Sequence, residues 1–174
     1  VPRQPLDTPG SDLPHVVQGW DVLAGVAQTG ARVAIVSQED YFETPNVAEF
    51  LAEQGRHVEI FHKSTHLGAD IDRYSMGAVL GRLERLGVAV HPNLRLAGIT
   101  PEAIDFVSAW GGKSYRYAGF DSVVLVYGSV PRAGLYDQLL ARRSVPEVYV
   151  AGSAWVPRRI AESTQHGASI GLVI

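Results

Sequence analysis

Residues 32–64 set two apolar, β-branched runs, RVAIVS and HVEIFHK, on either side of a segment with helical spacing at Val47, Phe50 and Leu51. Runs of that kind are strands buried on both faces, and such strands pair in parallel beneath covering helices. A strand, helix and second strand joined by short turns close as a right-handed βαβ unit. Thr44 and Pro45 predict the helix start, Thr as cap and Pro in the first turn, and Gly55 its end. The turn between the first strand and this helix is the place where a dinucleotide-binding unit carries its glycines. Here it reads QEDYFE, with three carboxylates and an aromatic pair, which repel a pyrophosphate rather than cradle it.

The rest of the chain extends the same alternation. Residues 1–15 carry four prolines and read as an extended connector; Val22, Leu23, Val26 and Ala27 predict a short amphipathic helix stopped by Gly30. Met76, Val79, Leu80, Leu83 and Leu86 predict a further helix ending at Gly87. VAVHPNLRLAGI and AIDFVSAWGGKSYRY are extended, the second folded into a hairpin over its glycine pair. SVVLVYG and EVYVAG read as buried strands, LYDQLLARR as a helix, and a closing helix opens at Pro157. The expected architecture is therefore α/β, a Rossmann-like, mainly parallel sheet with helices on both faces and an antiparallel hairpin excursion.

The totals exclude several classes. The 174 residues are 46% hydrophobic and carry a net charge of -3, so nothing argues for nucleic acid or an anionic membrane surface. With no cysteine, disulfides, thiol nucleophiles and cysteine-held metal or iron-sulfur centres are absent from this chain, which fits a cytoplasmic setting. No apolar run approaches the roughly 20 residues of a membrane helix. His57, His62 and His66 match no compact metal-ligand spacing, and His57 and His62 fall on opposite faces of a strand.

Three stretches in order, PRQPLDTPGSDLPHVVQGWDVL, FDSVVLVYGSVPR and VYVAGSAWVPRRIAESTQHGASIGLVI, resemble the C-terminal region of flavoproteins of the 2,4-dienoyl-CoA reductase and trimethylamine dehydrogenase type. The resemblance covers nearly the whole chain. It implies a connector over 1–15, an NAD(P)- or ADP-binding-like Rossmann domain over 16–117, and over 118–174 the returning segment of an FAD-type domain. The partner it implies is an upstream flavin barrel and FAD-domain segment, of the same protein or another chain, bearing FAD or FMN and an iron-sulfur cluster, with room for a homo-oligomer. The chain opens on Val1, and the resemblance places such a segment before it.

Within that frame the candidate nucleotide contacts are Ser37, Gln38, Thr44 and Asn46 around the turn. His62 and Lys63 stand where a cation meets a ribose 2'-phosphate, which favours NADP over NAD; ADP is the other candidate, as in the trimethylamine dehydrogenase branch. In the returning segment the candidates are Gly128, Gly152, Ser153, Pro157 and Arg158. Ser153 stands where the family usually has an Asp for the flavin ribityl chain, and Tyr127 where it usually has Thr. No catalytic residue and no metal ligand is expected. Two functions follow: the nucleotide-binding-like portion of a flavin-dependent oxidoreductase, or a Rossmann scaffold without a ligand that docks subunits or an electron-transfer partner.

Overall fold

The computed structural model describes residues 7–143 and 145–174. They form two compact units, one over Leu6–Gly128 and the other containing Ser129–Ile174.

The first unit is built on five parallel strands, which lie across the sheet in the order Val16–Gln18, Ser122–Val126, Arg32–Ser37, His57–His62 and Ala89–His91. These are β1 (Val16–Gln18), β2 (Arg32–Ser37), β3 (His57–His62), β4 (Ala89–His91) and β8 (Ser122–Val126). Helices α1 (Gly19–Leu23), α2 (Glu43–Glu53) and α3 (Arg73–Arg85) make the crossovers β1 to β2, β2 to β3 and β3 to β4. Their apolar faces, among them Val22, Val47, Leu51, Val79 and Leu83, pack on Val33, Ile35, Val58 and Ile60 from one face of the sheet.

The other face is covered by strands rather than helices. An antiparallel sheet of β5 (Leu94–Ile99), β6 (Ala103–Ser108) and β7 (Ser114–Ala118) lays Leu94, Ile99, Ile104 and Phe106 against Ala34, Val36, Phe61, Val123 and Leu125. The excursion expected as an addition to a two-sided helical fold thus supplies the second covering layer itself. Alternation explains it: along β6, Ile104 and Phe106 point to one face, and Phe106 stacks on Phe61 with ring centroids 4.7 Å apart.

Several local expectations change. Val16–Gln18 is a strand, and α1 ends at Leu23, so Val26 and Ala27 lie in the turn beyond it. A Cβ on Gly19 would press on the methyl groups of Val126 and Val47 at 3.0 and 3.2 Å, so its absence eases the tight departure of α1 from β1. The described part of the connector is a run of turns rather than an extended strand. Pro9 accepts a hydrogen bond from the Ile99 amide, and Gly10, at φ +82°, has its α-carbon where any Cβ would overlap the Ile99 carbonyl. The compact unit continues past the expected boundary at Tyr117, because β8 pairs with both β1 and β2 in the middle of the sheet.

The second unit contains α4 (Gly134–Arg142), a single 3-10 turn (Gly152–Ala154) and α5 (Ile160–Gly171). EVYVAG, expected as a buried strand, is irregular, and none of its residues is buried. Pro157 lies before the helix, which starts at Ile160 with Arg159 as its cap residue. No residue of α4, the 3-10 turn or α5 is buried.

Candidate functional site

In an open parallel sheet, ligands enter at the carboxyl ends of the strands where the strand order reverses. After β2 the chain builds outward through β3 and β4, and β8 returns on the other side of β2, so the reversal lies between β2 and β8. The Gln38 amide donates to the Val126 carbonyl across that boundary at 2.9 Å. Tyr127 fills the space beyond it, 8% exposed, with its hydroxyl bonded to the Gln38 side chain. Burial pushes the Tyr127 phenol up to about 12.

The β2–α2 turn uses its own acid at the helix start. Helix α2 begins at Glu43, and its cap residue Phe42 offers no side-chain acceptor to the free amides. Glu39 supplies one from outside the helix. Its carboxylate accepts the Tyr41 amide at 2.6 Å and the Thr44 amide at 3.3 Å, with the Thr44 hydroxyl at 3.5 Å. Thr44, expected as the cap, is instead fully buried in the first turn, 2.6 Å from the Ser37 hydroxyl. A side-chain carboxylate therefore sits on the amide and dipole positive end that a pyrophosphate would use.

A second clamp ties the turn to β3. The His62 imidazole, fully buried, has Nε2 2.9 Å from Asp40 Oδ1 and Nδ1 3.2 Å from Ser37 Oγ. A carboxylate only accepts, so Nε2 carries the proton in the neutral ring and Nδ1 is left as an acceptor facing the Ser37 hydroxyl. The Ser37 hydroxyl also lies 3.2 Å from the Glu39 carbonyl, an acceptor for its proton, and 2.6 Å from the Thr44 hydroxyl. Asp40 Oδ2 accepts from the Ser64 hydroxyl at 3.5 Å, and the Asp40 carbonyl from the Asp70 amide at 2.9 Å. Burial lowers the His62 pKa, partly offset by Asp40. Burial likewise raises Glu39, against the amides that favour its charge, and pushes Glu43 up to about 7, reinforced by Glu39 and offset by a bond to Trp20.

Ser37, Gln38, Thr44, His62 and Lys63 thus gather at one corner of the sheet, but Ser37, Thr44 and His62 are buried and turned onto one another. Lys63 is partly exposed and its amide donates to the Ser37 carbonyl; Asn46 is exposed, its amide donating to Phe42. Gly128 lies two residues beyond the end of β8, with φ +78°. Gly152, Ser153, Pro157 and Arg158 belong to the other unit. There Gly152 donates to His166 Nδ1 at 3.2 Å, and the Ser153 hydroxyl lies 3.4 Å from Ser163 Oγ and 3.5 Å from the Arg158 carbonyl. The roles of Glu39 and Asp40 as acceptors were missed by sequence reasoning, which saw only their repulsion of phosphate. The absence of a capping side chain at Phe42 was the available signal. Among the described residues no group of three metal-binding side chains forms, and no helix is long and apolar enough to cross a membrane.

No protein-family model matches the chain. It is 30% identical over 189 aligned positions, 95% of its length, to dimethylamine dehydrogenase of Hyphomicrobium sp. (strain x), of which it covers 26%. The chain is homologous to the C-terminal portion of the trimethylamine dehydrogenase and 2,4-dienoyl-CoA reductase family. Of solved structures, 6-hydroxypseudooxynicotine amine oxidase of Pseudomonas geniculata N1 superposes with a TM-score of 0.87 at 27% identity, covering 98% of this chain and 26% of that one. A 2-naphthoyl-CoA reductase shares the fold at 24% identity and a TM-score of 0.82, over 100% of this chain and 26% of its own. The chain thus spans about a quarter of the length of the family members it matches.

Proposed function

We propose that the chain is a Rossmann-like scaffold within a flavin-dependent oxidoreductase of the amine-dehydrogenase kind, one whose dinucleotide crevice is closed by its own side chains. One observation carries this reading: the Glu39 carboxylate is bonded to the Thr44 amide at the start of α2, beside a second carboxylate, Glu43. A pyrophosphate entering there would have to displace the Glu39 carboxylate and approach a second carboxyl group. Tyr127 and the buried His62 support the same reading, since both fill the crevice and its 2'-phosphate corner with protein.

On this reading Leu6–Gly128 is the NAD(P)-type domain in outline only, and Ser129–Ile174 the returning segment of an FAD-type domain. Flavin and an iron-sulfur cluster belong to the parts of the enzyme with which this chain is continuous or assembled, and hydride chemistry takes place on the flavin there. This chain orients and supports rather than reacts. Isothermal titration of the chain with ADP, NADH and NADPH tests the reading. The expected result is no binding at about 1 mM, an affinity of about -4 kcal/mol. NADPH binding tighter than that, weakened by Lys63→Ala, would overturn it in favour of a working nucleotide site.

A further inference from the structure

A continuous row of hydrogen-bonding side chains lies behind the start of α2. The His62 ring meets Asp40 Oδ1 through Nε2 at 2.9 Å and Ser37 Oγ through Nδ1 at 3.2 Å; Ser37 Oγ lies 2.6 Å from Thr44 Oγ1, and Thr44 Oγ1 lies 3.5 Å from Glu39 Oε2. His62, Ser37 and Thr44 are each at most 1% exposed, so the row runs through the interior and ends at two partly exposed carboxyl groups. The groups around it are Lys63 beside the ring on β3, Asp40 and Glu43 beside Glu39, Trp20 of α1 bonded to Glu43, the Ser64 hydroxyl and Asp70 amide on Asp40, and Tyr127 on Gln38.

A hydroxyl gives one proton and accepts through its lone pairs. Between His62 Nδ1 and Glu39 there are three links, and with a neutral ring and an ionised Glu39 only the two hydroxyl protons are there to fill them. One link then sets acceptor against acceptor. The Glu39 carbonyl, 3.2 Å from Ser37 Oγ, is where that hydroxyl turns when it points away from the ring. A single added proton completes the row in either of two ways. On Glu39, it directs every hydroxyl toward the ring; on Nδ1, it directs every hydroxyl toward Glu39. The first becomes the second when Glu39 passes its proton to Thr44 Oγ1, Thr44 passes its own to Ser37 Oγ and Ser37 its own to Nδ1, leaving a carboxylate and an imidazolium with the total charge unchanged. We propose that Ser37 and Thr44 form a hydroxyl relay between Glu39 and His62, through which the pair takes up one shared proton and cancels the negative charge at the start of α2. Burial favours the neutral form at both ends, raising Glu39 and lowering His62, and so places the proton mainly on Glu39. The relay deepens the reading of a crevice closed by its own carboxylate, and rests on it: closure becomes a proton-dependent state.

NMR titration of the full chain without nucleotide reads both ends, the Glu39 side-chain carboxyl carbon and the His62 Nδ1 nitrogen. The relay predicts one common midpoint above 4.5, because the proton that neutralises Glu39 also turns the Ser37 hydroxyl onto Nδ1. Thr44→Val removes the hydroxyl and keeps the amide; Glu39 should still titrate while Nδ1 no longer follows, and Thr44→Ser should restore the common midpoint. An Nδ1 signal that stays flat through the Glu39 transition in the parent protein would overturn the proposal, and it decides the matter even if Thr44→Val fails to fold. So would joint movement unchanged in Thr44→Val, since the coupling would then run through space alone. Neither result bears on nucleotide binding, so failure of the relay is distinguishable from failure of the closed crevice.

Discussion

The two units of this chain solve the problem of burial in opposite ways. Leu6–Gly128 encloses two apolar clusters, one on each face of its parallel sheet, and even at the carboxyl ends of its strands His62 and Tyr127 are buried. In Ser129–Ile174 the helices bury nothing, and Leu135, Ile160, Leu172 and Val173 are each at least 70% exposed. Apolar side chains are equally available in both regions, so hydrophobicity alone does not make a core. What differs is closure: the first region contains a complete layer on each side of a sheet, whereas the second has helices with no sheet of its own to cover.

The sharpest way to break this contrast is to separate the regions. Residues 6–128 expressed alone should unfold in one cooperative transition, and residues 129–174 alone should show little helix by circular dichroism, since isolated helices of this length are marginal in water. A folded, cooperative second fragment would dissolve the distinction. Next in size, Phe106→Ala, at a fully buried ring stacked on Phe61, should cost about 3–5 kcal/mol in denaturant unfolding. Ile160→Ala, on the exposed start of α5, should stay within about 0.5 kcal/mol.

How far could this have been foreseen? The parallel core was legible because β2, β3 and β8 are nearly continuous apolar runs, and the chain order of strand and helix leaves few topologies. The helical face of α3 was equally legible, although its cap, Asp72, which accepts the Tyr74 and Ser75 amides, was not singled out. EVYVAG misled for a physical reason: it has the composition of a buried strand, but a strand is made by a neighbour, and none pairs with it. At the site, the loss of the glycines was plain, while the use of Glu39 as an acceptor was not. Repulsion between an acidic turn and phosphate is visible in composition; a carboxylate reaching from Glu39 to the Thr44 amide depends on how the turn folds.

Smaller effects sharpen the contrast inside the first unit. Gly10→Ala forces a Cβ onto the Ile99 carbonyl in a left-handed conformation and should cost at least about 1–3 kcal/mol, read as a drop in Tm. Glu43→Gln should act in the other direction, and in a pH-dependent way. The folded protein holds the Glu43 proton up to about pH 7, against the ordinary 4.5, so the native state binds more protons than the unfolded state across that window. That contribution to stability is present at the acid end and is lost as pH rises from 4.5 through 7. The variant should therefore gain on the order of 1 kcal/mol over the parent at pH 8 and almost nothing at pH 4. His62 has the opposite sign. Its lowered pKa means that the neutral ring is favoured, and stability falls as pH drops below 6.5, a slope that His62→Gln should remove.

The central claim is that an acidic side chain of the chain itself holds the place of a nucleotide phosphate at the start of α2. Following the Thr44 backbone amide by NMR while the chain is titrated through the carboxylate range tests it most directly. The claim predicts that this resonance moves with a midpoint above 4.5, that Glu39→Gln abolishes the movement, and that adding ADP at neutral pH leaves it where it was. A Thr44 amide indifferent to pH but shifted by ADP would contradict it.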